Sequence, residues 1–458
     1  MTIPDPVRQW AETTPDALAL VTDDAKWAWA DLDARVGRCA AALAQGPERV
    51  AVRAPTSPDL VVLVLAALRA GRLLVPLSTR WTDADVVAAL NRLNLDSLLS
   101  DHAVDGANTV PLASVTDDAD GSQAAPADLE LETWFTVVHT SGSTGVPKAV
   151  VHSVGNHVWS ARGVIEGLGL DAGDRWLLDL PLYHVGGLGI VMRCVTAGAT
   201  IALPTESSLP EAVAALRPTH VSLVSTQLRR LLDQGTDLSM LKVALLGGSG
   251  IPPDLLASAS RANVPAVVSY GLTEMTSTVT ATPAGAFTGG GTTSGRALPY
   301  REIRISLDRE IEVGGPTLAV GVLADGVVEP LGPWHPTGDL GFLDEQSRLT
   351  VTGRQDLQFI SGGENVYPET IEAALRSLDA VVDAVVVPIP DAEFGFVPAA
   401  FVESADILDA RSVEDFLRQR IPGFMIPRMY LPWEGPGGMK PDRRRLADQA
   451  ARHTRDAG

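Results

Sequence analysis

Small hydroxyl residues, glycines and a lysine are concentrated in nine consecutive residues, Thr140–Lys148, with the sequence TSGSTGVPK. Glycines and small side chains let consecutive backbone N–H groups approach an anion closely, the hydroxyl groups donate further hydrogen bonds, and the lysine adds a positive charge. This composition predicts a loop that binds a polyphosphate, with an ordinary Gly/Ser turn as the alternative. The spacing differs from the Walker A pattern, because the glycines are close together and Ala149 follows the lysine, so a P-loop ATPase is disfavoured.

Lysine is scarce in this chain, since only four of the 36 basic residues are lysines. One is Lys148, in the loop above, and another is Lys440, in the glycine-rich segment Gly437–Leu446 with the sequence GGMKPDRRRL. A lysine before an arginine-rich helix is usually a solvated residue. Its rarity here favours a role in chemistry.

Short apolar runs alternate with helical patterns in the regions that must position these motifs. The alternation occupies the first hundred residues and returns between Trp134 and Tyr270, and it predicts a mostly parallel sheet covered by helices. Between Gly289 and Gly353 short strands separated by Gly and Asp indicate a small β-rich subdomain. The last hundred residues, with two or three helices and three strands, indicate a separate α+β domain.

Composition excludes several classes of protein. A length of 458 residues is about three times a typical domain and predicts two or three domains. The 56 acidic residues outnumber the 36 basic ones, giving a net charge of -20, which disfavours nucleic-acid binding.

Targeting features are also missing from the sequence. Cys39 and Cys194 have no disulfide or metal-site spacing, and the longest apolar run, near Leu60–Leu68, is about half of what a bilayer requires. We therefore expect a soluble cytoplasmic protein without membrane insertion. The oligomeric state stays open, a homo-oligomer included.

Several motifs, taken in chain order, resemble those of the adenylate-forming enzymes, the superfamily of acyl-CoA synthetases, luciferases and peptide-synthetase adenylation domains. Thr140–Lys148 resembles the phosphate loop of that family, and Gly247–Ser249 the loop that packs on adenine. Tyr270–Glu274 (YGLTE) resembles the second nucleotide motif, and Thr337–Asp339 (TGD) the ribose motif. The resemblance covers nearly the whole chain and implies that ATP, or AMP, is bound by Thr140, Ser141, Gly142, Ser143, Thr144, Gly145, Lys148, Gly247, Gly248, Ser249, Tyr270, Gly271, Asp339 and Arg354.

The resemblance also implies catalytic roles. Thr273 would contact the α-phosphate, Glu274 would hold Mg²⁺, and Lys440 would stabilise charge while the acyl-adenylate forms. His184, in Pro181–His184 (PLYH), would line the acyl pocket, although a buried structural histidine is the alternative.

The fold implied by the resemblance is α/β, with a large N-terminal domain over residues 1–353 and a small mobile α+β C-terminal domain over residues 357–458. Residues 354–356 would form the hinge, centred on Asp356. Coenzyme A would pass Ser361, Gly362 and Gly363 after the small domain rotates. The substrate carboxylate would first attack the α-phosphate of ATP, giving acyl-AMP and diphosphate, and the thiol of coenzyme A would then attack the mixed anhydride.

The shortness of the chain and two segments resemble the o-succinylbenzoate-CoA ligases of menaquinone synthesis. These segments are Ser361–Pro368 and Ser225–Leu231, and the second contains the candidate substrate residue Thr226. Arg193 interrupts an apolar helical run nine residues after His184, where those ligases bind the second carboxylate of their diacid. A charge in an apolar helix needs either an anionic ligand or a structural ion pair, and the sequence leaves both open.

Three alternatives to this substrate remain at the level of sequence. The chain could be a CoA ligase for another aryl or medium-chain acid, or a stand-alone adenylation domain that loads a carrier protein. A catalytically inactive nucleotide-binding protein is the third. The intact motif residues disfavour the last of these.

Overall fold

The structure, a computed structural model, describes residues 1–116, 128–140, 147–248, 250–286, 293–324, 326–378, 380–391, 393–404, 409–435 and 441–456. Some predicted site residues lie outside these ranges: Ser141, Gly142, Ser143, Thr144, Gly145, Ser249 and Lys440.

Helices and strands alternate through the first three hundred residues, as the periodicity of the sequence predicts. The helices are α1 (Pro6–Thr13), α2 (Trp29–Ala44), α3 (Pro58–Arg69), α4 (Asp83–Arg92), α5 (Ala113–Thr116), α6 (Val154–Leu168), α7 (Val185–Ala197), α8 (Leu209–Leu216), α9 (Ser225–Asp233), α10 (Pro253–Arg261), α11 (Pro368–Arg376), α12 (Ala410–Arg418) and α13 (Arg443–Asp456). The strands are β1 (Thr2–Ile3), β2 (Leu18–Val21), β3 (Lys26–Ala28), β4 (Arg49–Val52), β5 (Leu73–Pro76), β6 (Leu98–Leu99), β7 (Thr109–Val110), β8 (Leu129–Glu130), β9 (Trp134–Thr140), β10 (Lys148–Ser153), β11 (Arg175–Leu177), β12 (Thr200–Ala202), β13 (His220–Leu223), β14 (Val243–Leu246), β15 (Ala266–Leu272), β16 (Ser277–Ala281), β17 (Arg296–Ala297), β18 (Glu302–Ile305), β19 (Glu310–Gly314), β20 (Gly321–Ala324), β21 (Val327–Pro330), β22 (Trp334–Leu343), β23 (Leu349–Arg354), β24 (Phe359–Ser361), β25 (Glu364–Val366), β26 (Val381–Asp391), β27 (Gly395–Ser404) and β28 (Met429–Pro432).

Two large mixed sheets contain most of the strands that precede residue 331. One has the strand order β21-β20-β10-β9-β5-β4-β6-β7 and the other the order β17-β16-β15-β14-β13-β11-β12-β2-β3. In the eight-stranded sheet the strands from β9 to the β7 edge run parallel, and antiparallel strands adjoin them on the β10 side only. In the nine-stranded sheet the central strands run parallel, and antiparallel strands flank them on both sides. The predicted α/β class is therefore confirmed.

The largest apolar core combines residues of both large sheets with α2, α3, α6 and α7. Helix α3 carries the longest apolar run, Leu60–Leu68, and every residue of that run is buried. A helix that is apolar on all sides belongs in a core of this kind. Among the described residues, no helix is long and apolar enough to cross a membrane.

Two smaller sheets follow. Strands β18-β19-β22-β23 form an antiparallel sheet, as expected for the β-rich region between Gly289 and Gly353. The last sheet has the order β25-β24-β27-β26, with β28 beside β27, and it contains only strands that follow residue 358. Helices α11 and α12 cover one face of its β26–β27 hairpin, and α13 covers the other.

The C-terminal region has more strands than the three that the sequence predicts, because the short strands β24 and β25 enclose Gly362 and Gly363 in a tight hairpin. Ser361 and Glu364 are paired, and the two glycines have φ values of 58° and 89°. Two consecutive residues with positive φ are what a two-residue hairpin turn of type I′ requires. Short strands of this kind give no periodic signal in the sequence.

Candidate active site

Strands β9 and β10 form the two sides of the predicted phosphate loop. Thr140 is the last residue of β9, Lys148 is the first of β10, and the two are directly paired across the ladder. The side chain of Lys148 is exposed, so its ammonium group can reach a ligand. The six residues between Thr140 and Pro147 lie outside the described part of the chain.

The carboxyl ends of the parallel strands in the nine-stranded sheet bring several candidates to one edge. His184 follows β11 and is the N-cap residue of α7, Thr226 lies in the first turn of α9 after β13, and Gly247 and Gly248 follow β14. Tyr270 is near the end of β15. Ligands bind at this edge in open α/β sheets, because loops there diverge and leave a crevice.

A tight turn after β15 carries Thr273 and Glu274. The turn is a short 3-10 helix, Thr273–Met275, and both side chains are half-buried. Gly271 lies beside it, where a Cβ atom would be 2.2 Å from the carbonyl oxygen of Ser277. Only glycine fits this close approach of the two backbone segments.

Tyr270, Asp339 and Arg354 meet within hydrogen-bond distance, although they come from three different motifs. Tyr270 Oη donates to Asp339 Oδ2 at 2.7 Å, and Arg354 Nη1 donates to Asp339 Oδ1 at 3.1 Å. Asp339 and Arg354 are directly paired on β22 and β23. Tyr270 and Arg354 thus hold both oxygens of the Asp339 carboxylate, an acceptor-only group of the kind that binds hydroxyl groups.

Arg354 also contacts the predicted hinge residue. Its Nε and Nη2 donate to Oδ1 and Oδ2 of Asp356 at 2.8 and 3.2 Å. The hydrogen bond to Asp356 raises the pKa of the guanidinium above its ordinary value, and the charge of Asp339 adds to this effect. Burial, followed by the charge of Asp339, raises the pKa of the Tyr270 hydroxyl, which therefore stays protonated as a donor.

Arg193 is buried in α7, with 1% of its surface exposed. Its Nη2 donates to Ser277 Oγ at 3.1 Å and to Thr278 Oγ1 at 3.2 Å, and its guanidinium lies 5.0 Å from the ring centre of Trp176. No carboxylate forms an ion pair with it among the described residues, and its buried Nε has no hydrogen-bond partner there. Burial lowers its pKa to about 10, so it remains a cation at pH 7.

The sequence reasoning missed two residues near this site. Burial lowers the pKa of His335, while the carboxylate of Glu274 opposes the shift and Lys148 adds to it, so His335 lies in the field of both motif residues. Arg301 is buried, and its guanidinium donates to the carbonyl oxygens of Thr278, Ser160 and Pro299. Neither lies in a motif, and only the proximity of distant strands reveals them.

The candidate coenzyme A residues are separated from the hinge by a few residues. Arg354 ends β23, Asp356 is exposed, and the β24–β25 hairpin then presents Ser361, Gly362 and Gly363. The N–H of Gly362 donates to the carbonyl oxygen of Phe394 at 3.0 Å. Both glycines are exposed and Ser361 is buried, so the hairpin offers bare backbone to a ligand.

The chemistry of the donors fits Mg²⁺ held together with a polyphosphate. Within the described ranges, no group of three or more His, Cys, Asp and Glu side chains could hold a metal ion by itself. Mg²⁺ is commonly bound through one or two carboxylates plus the phosphates of the substrate. The carboxylate of Glu274, whose charge acts on His335 together with that of Lys148, matches that pattern.

Two family models match the chain. The model of the AMP-binding enzyme family matches residues 7–323, and the model of the AMP-binding enzyme C-terminal domain matches residues 370–433. Together they confirm the predicted arrangement of a large N-terminal and a small C-terminal domain.

Several proteins resemble this chain in sequence or structure over nearly the full length of both chains. The chain is 34% identical over 457 residues to the 2-succinylbenzoate--CoA ligase of Salmonella typhimurium, covering 97% of this chain and 98% of that protein. The structure resembles o-succinylbenzoate coenzyme A synthetase (MenE) of Bacillus subtilis in complex with ATP and magnesium ion, with a TM-score of 0.89, 28% identity and coverage of 97% and 100%. The complex of the Bacillus subtilis enzyme with the acyl-adenylate intermediate OSB-AMP gives a TM-score of 0.87 at 27% identity, with coverage of 97% and 98%.

Proposed function

The chain belongs to the AMP-binding enzyme family, and we propose on that premise that it is an AMP-forming acid–CoA ligase whose substrate is 2-succinylbenzoate (o-succinylbenzoate). The reaction converts the acid, ATP and coenzyme A into 2-succinylbenzoyl-CoA, AMP and diphosphate. The relatives that match nearly the whole chain are ligases of this acid, which supports the substrate. The meeting of Tyr270, Asp339 and Arg354 is the observation that carries the nucleotide part of the proposal.

The nucleotide end of the site binds the ribose and adenine. Asp339 accepts both ribose hydroxyls, and its orientation is held by the donors Tyr270 and Arg354. Gly247, Gly248 and Ser249 pack on the adenine ring. The backbone of Gly271 lets this wall of the site approach the nucleotide closely.

The first half-reaction, attack of the substrate carboxylate on the α-phosphate, depends on stabilisation of the charge around that phosphate. The polyphosphate is bound by Thr140, by Ser141, Gly142, Ser143, Thr144 and Gly145, and by Lys148. Thr273 donates to the α-phosphate, and Lys440 stabilises the carboxylate and the charge that develops when it attacks. Preorganised donors of this kind are a large part of catalysis in phosphoryl and nucleotidyl transfer.

Glu274 is the residue that would hold Mg²⁺, which supplies neutralisation of phosphate charge when bound. Its half-buried side chain lies in the turn after β15. This turn also orients Thr273, so one short segment presents both groups to the nucleotide.

The acyl pocket contains His184, Thr226 and Arg193. We propose that the guanidinium of Arg193 recognises the second carboxylate of the diacid. A buried cation that has only neutral hydroxyl partners, and one N–H without any, supports this role over a structural ion pair. Burial of a charge without a counterion is costly, and an anionic ligand offsets the cost.

The second half-reaction transfers the acyl group to coenzyme A. The thiol attacks the carbonyl carbon of the acyl-adenylate, a C–S bond forms, and AMP leaves with the pair of electrons from the broken C–O bond. We propose that Ser361, Gly362 and Gly363 line the path of the pantetheine arm, and that rotation about Asp356 exchanges this hairpin for Lys440. The division into residues 1–353, 354–356 and 357–458 follows, and the limits of the two family models fall on either side of it.

We place the reaction in the cytoplasm. Cys39 and Cys194 are both buried free thiols, which supports a reducing compartment. ATP and coenzyme A, the two co-substrates, are abundant there.

A substrate panel tests the proposal. Formation of AMP and thioester is measured with ATP, Mg²⁺ and coenzyme A, using 2-succinylbenzoate, benzoate or octanoate as the acid. We expect turnover with the diacid to exceed turnover with either monoacid. Thioester formation from octanoate or benzoate alone would keep the ligase reaction and refute the substrate, and acylation of a holo-carrier protein but not of free coenzyme A would refute the ligase.

A further inference from the structure

The turn that carries Thr273 and Glu274 is held by one side chain and one backbone N–H group from outside its own strand. The carbonyl oxygen of Thr273 accepts a hydrogen bond from Nε2 of His152 at 2.8 Å, and the carbonyl of Glu274 accepts one from the N–H of Ala319 at 2.8 Å. The residue that ends the turn, Thr276, has a φ of 53°. A left-handed β-branched residue persists only where surrounding contacts fix the backbone.

His152 belongs to a buried relay of three hydrogen-bonded side chains, His157, Thr136 and His152. Thr136 Oγ1 lies 3.3 Å from Nδ1 of His152 and 2.9 Å from Nε2 of His157. All three residues are buried, with at most 1% of their surface exposed. Thr136 and His152 are directly paired on β9 and β10, so the ladder itself brings them together.

The hydrogen bonds of this relay allow only one direction of donation. A carbonyl oxygen only accepts, so Nε2 of His152 carries the proton, and Nδ1 of the neutral ring must accept from the hydroxyl of Thr136. That hydroxyl therefore accepts from Nε2 of His157. Burial lowers the pKa of His152 to about 4 and that of His157 well below its ordinary value, so both rings are neutral at pH 7.

The strand pair β9 and β10 also connects this relay to the predicted phosphate loop. The pair Thr140–Lys148 and the pair Thr136–His152 are four residues apart along β9 and β10, so they lie on the same face of the ladder. Four residues of strand span about 13 Å. The ladder thus sets the distance between Lys148 and the turn that carries Thr273 and Glu274.

We propose that His152 is a positioning residue for adenylation: through the relay His157–Thr136–His152 it fixes the carbonyl of Thr273 and so aims Thr273 and Glu274 at the nucleotide. This inference rests on the proposed function, because it assigns His152 to the same site. His152 itself contacts no substrate. Its role is to keep the turn in one orientation relative to Lys148.

Two matched substitutions separate positioning from stability. Thr136→Val breaks the relay with a side chain of nearly the same shape, and Thr200→Val removes a similar buried hydroxyl, which donates to the carbonyl of Leu18 in the other large sheet. Both should cost comparable stability. Two substitutions at the centre of the relay follow, since His152→Leu removes the donor to Thr273, whereas His152→Gln keeps an N–H donor.

The two half-reactions are measured separately for every folded variant. Adenylation is followed as ATP–diphosphate exchange with 2-succinylbenzoate, and thioester formation is followed from supplied acyl-adenylate and coenzyme A. We expect kcat for exchange to fall on the order of 10-fold in Thr136→Val and on the order of 100-fold in His152→Leu, because misplacement of about 1 Å has effects of this size. His152→Gln should recover most of the loss, Thr200→Val should match wild type, and the thioester step should change little in all four.

A spectroscopic readout does not depend on activity. In the ¹⁵N spectrum of histidine-labelled protein, His152 should give the neutral tautomer with the proton on Nε2, identified by its absence in His152→Gln. Thr136→Val should change that signal, and Thr200→Val should not.

The outcomes distinguish this inference from the function on which it rests. Wild type without exchange for any acid would refute the proposed function, and the positioning role would fall with it. Active wild type with equal losses in Thr136→Val and Thr200→Val, equal losses in both half-reactions, or a proton on Nδ1 of His152 would refute the positioning role alone.

Discussion

Arg193→Met tests how the acyl pocket selects a diacid. Methionine keeps an apolar stem of similar length in the buried helix α7 and removes the guanidinium, while the hydroxyls of Ser277 and Thr278 lose a shared donor. A hydrogen bond to a charged group contributes about 1.5–3 kcal/mol. At about 1.4 kcal/mol for each factor of ten, loss of the contact with the second carboxylate lowers kcat/KM for 2-succinylbenzoate by about 10- to 150-fold.

The assay compares the diacid with benzoate in one enzyme preparation. Benzoate has no second carboxylate, so its kcat/KM should be nearly unchanged, as should the KM for ATP. Arg301→Met is the matched control, because Arg301 is also buried but donates to the backbone carbonyls of Ser160, Thr278 and Pro299. Arg301→Met should lower stability without changing the ratio of the kcat/KM values for the two acids.

Equal losses for both acids in Arg193→Met would refute the reasoning, because they would show that Arg193 supports the fold of the pocket and not the diacid. Unchanged kcat/KM values for both acids would also refute it. A lowered ratio in Arg301→Met as well would assign the selectivity to the packing around Thr278.

Three further predictions follow from the same structure. Asp339→Asn keeps the shape of the side chain but loses the charge that Arg354 and the ribose share, so the KM for ATP should rise about 10-fold or more while the KM for the acid stays constant, as steady-state kinetics would show. Burial raises the pKa of Glu369 from 4.5 to about 7, so the stability linked to its protonated form is present below pH 4.5 and is lost as the pH rises through 7. Denaturant titrations should therefore show that Glu369→Gln stabilises the protein at pH 8 and not at pH 4.5, and equal effects at both pH values would contradict this. Gly362→Ala should slow thioester formation and leave ATP–diphosphate exchange intact, since its φ is 58° and the added Cβ would lie 2.8 Å from the ring of Phe394; loss of exchange as well would place the hairpin in the adenylation step.

Sequence periodicity was sufficient to predict the fold class, because buried parallel strands and their covering helices leave regular apolar patterns. It could not predict which sheet a strand joins. Strand β2 lies beside β12, about 180 residues later in the chain, through the pairing of Leu20 with Ile201. Such pairing depends on the shape of the whole core and leaves no local signal.

Glycine and hydroxyl patterns in the sequence were enough to mark Thr140–Lys148 as a candidate phosphate loop, and this assignment stays a prediction because residues 141–146 lie outside the described part of the chain. The resemblance to the adenylate-forming enzymes assigned both Asp339 and Arg354 to the nucleotide, and the structure pairs them on adjacent strands. The relay through Thr136 and His152 was not predictable, because single buried polar residues in apolar strands look like exceptions until their partners are known. The partners of Arg193, Ser277 and Thr278, come from a strand more than eighty residues later.

The adenylate step is the central claim, and an oxygen label tests it most directly. 2-Succinylbenzoate with ¹⁸O in its carboxylates is incubated with ATP, Mg²⁺ and coenzyme A, and the AMP is analysed by mass spectrometry in wild type and Lys440→Ala. Attack of the carboxylate on the α-phosphate, followed by thiolysis, leaves one carboxylate oxygen on AMP, so AMP from wild type should carry one ¹⁸O and the variant should form little AMP. Unlabelled AMP, or ADP as the nucleotide product, would contradict the account.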